Sequence, residues 1–153
     1  MFLNMKKLYK LCSDKMRDYF VFDNQIKNLK EQLEFEESNQ DVNSFIKSKN
    51  KVSNKVENEV IRKIMIENKI NQIIIWKSII ADIIDGYKKT YKPKYDYIIE
   101  KFMNHKKDKE IEEELFMSTT TQYRYKTEIV YQVAIMALSK NLITITEVLD
   151  DEA

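Results

Sequence analysis

Apolar residues along the 153-residue chain recur at helical intervals and seldom alternate. Over residues 2–19, Leu8, Leu11, Cys12, Met16 and Tyr19 follow one another at three, one, four and three, which predicts a helix with one apolar face. The cluster Tyr19-Phe20-Val21-Phe22 breaks that period, and Asp23 offers an N-cap for a second helix marked by Ile26, Leu29, Leu33 and Phe35. Residues 37–54 show no period and are rich in Ser, Asn and Lys, so a loop or linker is expected there. From Val56 to Tyr87 the pattern predicts one long helix, with Ile66, Ile73, Ile80 and Tyr87 spaced by seven. Ile70 and Ile84 widen that strip on one side, Trp76 and Ile83 on the other. A strip this broad needs cover on more than one side. The N-terminal helices are one source; a second copy of the central helix, in a homodimer, is the other.

Gly86 loosens the predicted end of that helix, and Pro93 suits the first turn of the next. Tyr95, Ile98, Ile99 and Phe102 then stand at i, i+3, i+4 and i+7. After the connection Asn104-His105-Lys106-Lys107, Asp108 is the expected cap of a short helix through Ile111 and Leu115, with Glu110 in its first turn. A further helix opens at Thr119 and runs on through Ile129, Val133 and Met136. The tail from Leu142 alternates weakly, compatible with a strand, a last helical turn or disorder. The expected fold is all-α: an N-terminal helical, oligomerising arm over residues 1–90, then a three-helix helix-turn-helix head with a short tail over residues 91–153.

Composition supports the fold class. One Gly and one Pro are far too few for strands joined by tight turns. Net charge is only +1, so the whole-molecule field announces no polyanion partner. Its distribution is less neutral. Lys88 to Lys109 holds eight Lys against three carboxylates, whereas Glu31 to Asp41 holds five carboxylates and no cation. Cys12 is the single cysteine, so no intrachain disulfide forms and a reducing cytoplasm is expected. The start of the chain has no apolar core of signal-peptide length, and polar residues interrupt the apolar run 70–87 too often for a membrane span.

Residues 108–127, DKEIEEELFMSTTTQYRYKT, carry the most chemistry. They predict two helices joined by a tight turn, with Ser118 capping the second. Of the five apolar packing points usual in such a motif, Ile111, Leu115, Met117 and Tyr125 supply four, and Gln122 stands at the fifth. Glu112 occupies a position usually small, and Phe116 a turn position usually taken by Gly. Thr119, Thr120, Tyr123, Arg124 and Thr127 are expected to face outward, with Ser118 and Thr121 beside them: short hydroxyls, an aromatic and a guanidinium suited to base edges and phosphates. Arg124 is the sharpest candidate, because only guanidinium offers a bidentate fork; the bland alternative is a surface ion pair with Glu128. Lys106, Lys107, Lys109 and Lys126 are the expected phosphate contacts. Catalysis is not expected. One His and one Cys cannot build the usual metal sites, a chain with one Gly has no phosphate loop, and the glutamates at 110 and 112–114 form a solvated face. No cofactor is implied.

Three stretches together resemble phage late-gene transcriptional activators of the RinA/ArpU type. MRDYFVFDNQIKNLKEQL is similar to that family's N-terminal pair of helices, KVSNKVENEVIRK to its Ser-x-x-Val-Glu entry into the central helix, and KDKEIEEELFMSTTTQYRYKTEIVY to its reader, itself similar to region 4 of sigma factors. In that likeness Ser118, Thr121 and Arg124 match the Ser-x-x-Thr-x-x-Arg positions, while Glu112 and Phe116 depart from the family's Ala and its Asn or Gly. The resemblance implies a sequence-specific double-stranded DNA-binding regulator that switches on packaging and structural genes with host RNA polymerase. A small-terminase-like DNA-recognition subunit and a helical scaffold that never touches DNA are the competing readings.

Overall fold

A computed structural model describes residues 4–43 and 52–144, and the described residues are helical apart from short connections, with no strand. The elements are α1 (Met5–Arg17), α2 (Phe22–Asn43), α3 (Val52–Thr90), α4 (Lys92–Ile98), α5 (Asp108–Leu115) and α6 (Thr119–Ser139). A 3-10 turn, Tyr19–Val21, joins α1 to α2, and a π-helical turn, Ile99–Met103, continues α4 directly.

Local chemistry accounts for most helix ends. Asn4 caps α1 by accepting the Lys7 N–H at 3.1 Å. Pro93 lies in the first turn of α4, where its missing N–H costs no helical bond. Asn141, at φ 59°, closes the end of α6, with the Leu142 N–H donating to the Ala137 carbonyl at 3.0 Å. Two expected caps shift by one residue: α2 begins at Phe22, so Asp23 lies in its first turn, and Lys107, not Asp108, is the N-cap of α5. Gly86 does not end α3, which runs on to Thr90; the Thr90 hydroxyl donates to the Gly86 carbonyl at 2.7 Å.

Of the linker expected over 37–54, residues 37–43 and 52–54 are helical. α2 extends to Asn43 and α3 starts at Val52, leaving 44–51 outside the described residues. Glu, Gln and Lys sustain a helix without an apolar stripe, and the stretch contains no Gly or Pro to stop one. The tail beyond Thr144 also lies outside the described residues.

Contacts divide the chain into two compact units, residues 1–20 with 75–153, and residues 21–74; the expected boundary at 90/91 falls inside the first. In the first unit α1 packs on α6 and the π turn, burying Leu8, Cys12 and Met16. Trp76, Ile79, Ile80 and Ile83 bury the central-helix strip within this same unit. The second unit buries Phe22, Ile66 and Ile70, and Arg62–Glu36 and Lys63–Glu37 pair α3 with α2 at 4.0 and 3.7 Å. Phe35, expected on the apolar face, is 63% exposed.

The π turn changes the predicted core of the head. An i→i+5 turn brings residues five apart onto one face. Tyr97 and Phe102 therefore meet edge to face at 6.2 Å between ring centroids, and Tyr97 and Met103 join Ile98 and Phe102 in the core, while Tyr95 stays half-buried. His105, at φ 53°, then turns the chain toward α5.

Candidate nucleic-acid interface

The turn between α5 and α6 is built by three consecutive residues. Phe116 adopts φ 53° and ψ 41°, the left-handed conformation for which Gly was the expected residue, and its side chain is 91% exposed. Met117 turns inward and is buried. Ser118 is extended, and its Oγ accepts the Thr121 N–H at 3.2 Å, the N-cap its position predicts. Phe116 thus has a strained backbone with no burial to offset it. Phe116→Gly is expected to raise the unfolding free energy by about 1 kcal/mol, read as a higher urea midpoint at unchanged slope. An unchanged or lower midpoint would mean that the ring contributes packing this geometry does not account for.

Ile111, Met117 and Tyr125 are buried between the helices as their spacing predicts, and Leu115 is half-buried. Gln122, the apparent misfit, is only 3% exposed. Its Nε2 donates to the Asp108 carbonyl at 3.0 Å and the Met117 carbonyl at 3.2 Å, so one amide ties the start of α5 to the turn. Its Oε1 is buried without a partner among the described residues, a cost set against those two bonds. Glu112 is exposed and does not stand between α5 and α6.

Thr119, Thr120, Tyr123, Arg124 and Thr127 are exposed along one side of α6, and Tyr123 is 70% accessible. Thr121 is half-buried and held by Ser118, whose hydroxyl donates to Thr121 Oγ1 at 3.1 Å. The Thr127 hydroxyl donates back to the Tyr123 carbonyl at 2.8 Å. The Arg124 guanidinium lies 5.5 Å from the Tyr125 ring centroid, a stacking contact that steadies it without covering it. Glu128 is held instead by Lys94 at 2.5 Å, and that hydrogen bond depresses its carboxyl below the usual range, with Arg124 adding a smaller attraction. Lys94 itself sits 5.2, 5.6 and 5.8 Å from the ring centroids of Tyr87, Tyr91 and Tyr125.

The expected lysine cluster separates into members with different surroundings. Lys106 bridges Glu100 and Glu114, and those two hydrogen bonds raise its ammonium above the ordinary lysine range. It links the π turn to α5, with its charge already matched. Lys107 and Lys109 are exposed at the start of α5. Lys126 is half-buried, its Nζ 5.3 Å from the Tyr9 ring centroid, so α1 supplies part of its surroundings. Nothing in the spacing of α1 announces that neighbour, because an apolar face shows that a helix packs and not against what. His105 is exposed, and no group of His, Cys, Asp and Glu able to hold a metal ion occurs among the described residues. Among these residues no helix is long and apolar enough to cross a membrane.

No family model, curated protein or solved structure matches this chain.

Proposed function

We propose that the chain is a sequence-specific DNA-binding transcriptional regulator, an activator of phage or prophage late genes acting with host RNA polymerase. One observation carries the DNA-binding part. A short helix, a three-residue turn through a left-handed residue and a capped second helix leave Thr119, Thr120, Tyr123, Arg124 and Thr127 exposed on one side of that second helix. Such a face suits a major groove, where guanidinium reads guanine and hydroxyls reach phosphates. The late-gene and polymerase parts rest on the resemblance to RinA/ArpU-type activators. Self-association is assigned in the same reading to the unit of residues 21–74, where Val60, Ile61, Ile64 and Met65 are each about half exposed along α3.

The test is binding of the full chain to duplex fragments of its parent genome at several salt concentrations. Wild type is expected to select particular fragments, with affinity falling as salt rises. Arg124→Ala is expected to weaken the selected complex by about 1–3 kcal/mol and to relax its sequence preference. A wild type that ignores duplex DNA at low salt sinks the proposal. An Arg124→Ala protein with unchanged affinity and preference removes Arg124 from the reader.

A further inference from the structure

Cations far apart in the sequence gather around one carboxylate at the edge of the reading face. Asp108, the first residue of α5, is engaged by Lys101 at 2.5 Å. Lys126 lies half-buried on α6 beside the Tyr9 ring. Its ammonium is pushed below the ordinary lysine value, chiefly by burial and further by Lys101 and Arg17, with Asp108 pulling the other way. Lys6, exposed on α1, lines with Lys126 and Asp108 a cleft of about 440 Å³. Lys101, Lys126 and Lys6 thus gather about one carboxylate, which Lys101 already occupies, and Arg17 adds to the positive charge felt by Lys126.

Holding like charges close costs free energy that an incoming anion returns, most of all beside a partly buried ammonium. Two further features select a phosphate group. Thr119 and Tyr123 line the same cleft with hydroxyls able to donate, beside Tyr9, whose hydroxyl is hydrogen-bonded to Thr127, and the first turn of α6 opens at Thr119 with its positive helix end. Thr119 and Tyr123 also belong to the exposed side of α6, so an anion held here lies at the border of the groove-facing surface.

We propose that the cleft between α1 and the start of α6 holds a backbone phosphate of the bound duplex through Lys6 and Lys126, making the N-terminal helix part of the DNA interface. This rests on the DNA-binding reading above and adds a residue set the helix-turn-helix alone does not contain. Phosphate contacts fix register and carry no sequence information. Their removal therefore weakens all sequences together.

The experiment measures affinity for a selected and an unselected duplex against salt, using wild type, Lys6→Gln/Lys126→Gln, and Lys27→Gln/Lys30→Gln on α2 as a matched loss of two charges elsewhere. The slope of log affinity against log salt is expected to be shallower in the double variant by about 0.9 for each phosphate it no longer neutralises, with the ratio between duplexes unchanged. Lys27→Gln/Lys30→Gln is expected to leave the slope unaltered, and Lys126→Arg to keep the wild-type slope, which separates lost charge from lost folding. If wild type binds DNA and the double variant keeps its slope, the phosphate cleft is wrong while the regulator reading stands. If wild type binds no DNA, both fall. A titration with inorganic phosphate that moves the Tyr9 and Tyr123 signals, alongside a double variant with unaltered DNA binding, marks a free-anion site and also overturns the proposal.

Discussion

Phe102→Ala is expected to lower the unfolding free energy by about 3–5 kcal/mol, a large part of the about 5–15 kcal/mol that a folded domain possesses. The ring is 0% exposed, and its partner Tyr97 is 1% exposed. Their planes meet at 89°, the edge-to-face arrangement that adds to simple burial. The π turn fixes this geometry, so the backbone around residues 99–103 cannot slide to refill the space without losing the Asn104 N–H bond to the Ile99 carbonyl at 2.9 Å. Phe102→Leu, which keeps most of the volume, is expected to cost less than half as much. Urea unfolding followed by far-UV circular dichroism measures both. A loss below about 1 kcal/mol for the alanine variant would show that the head collapses around the cavity and that the π turn is not rigid.

Raising the pH is expected to destabilise the protein, with stability declining through about pH 9, the value at which the thiol of the unfolded chain is half ionised. Cys12 is fully buried, and burial pushes its thiol from 9.0 up to about 12. Burial also raises Tyr9, Tyr87 and Tyr97, while Tyr125 is raised first by its hydrogen bond with Tyr91 and then by burial. In every case the folded value lies above the unfolded one. The folded state therefore keeps protons that the unfolded chain releases, and its advantage is complete below the unfolded value and falls as pH rises. Cys12 alone contributes a decline of about 1.4 kcal/mol per pH unit above its unfolded value, and the tyrosines join near their ordinary value of 10.0. Lys94 acts in the same direction: burial works to lower it, but Glu128 and the tyrosines prevail and raise it. Lys126, lowered in the fold, partly opposes the trend. Cys12→Ala is expected to move the onset up by about one pH unit, into the tyrosine range, as read by circular dichroism and tyrosinate absorbance. Equal stability at about pH 7 and about pH 11 would sink this account.

Several parts of the candidate interface were legible in the sequence because their causes are local. Ser118 followed by Thr121 announces a cap whichever way the rest of the chain folds, and the spacing of Ile111, Met117 and Tyr125 announces the inner faces of α5 and α6. The turn position of Phe116 was legible from the motif, but the left-handed His105 and Asn141 were not, since no glycine marks them. Gln122 looked like a packing defect because a residue type does not disclose that two backbone carbonyls stand within reach of its amide. The helical stretches at 37–43 and 52–54 were hidden for the opposite reason: their sequence carries no apolar stripe, so it leaves no period to find.

The sequence by itself determined that the chain is helical, where most of its helices lie, and which side of α6 presents hydroxyls, an aromatic ring and a guanidinium. Periodicity, capping and the scarcity of Gly and Pro act over one or two turns of chain, so they can be read from neighbours. Only the tertiary structure decided that Lys106 is matched by Glu100 and Glu114, that Lys126 is half-buried, and that Lys6 and Tyr9 of α1 stand beside it. Charge pairing and desolvation depend on distances through space between residues up to 120 positions apart, from Lys6 to Lys126, and no local rule encodes them.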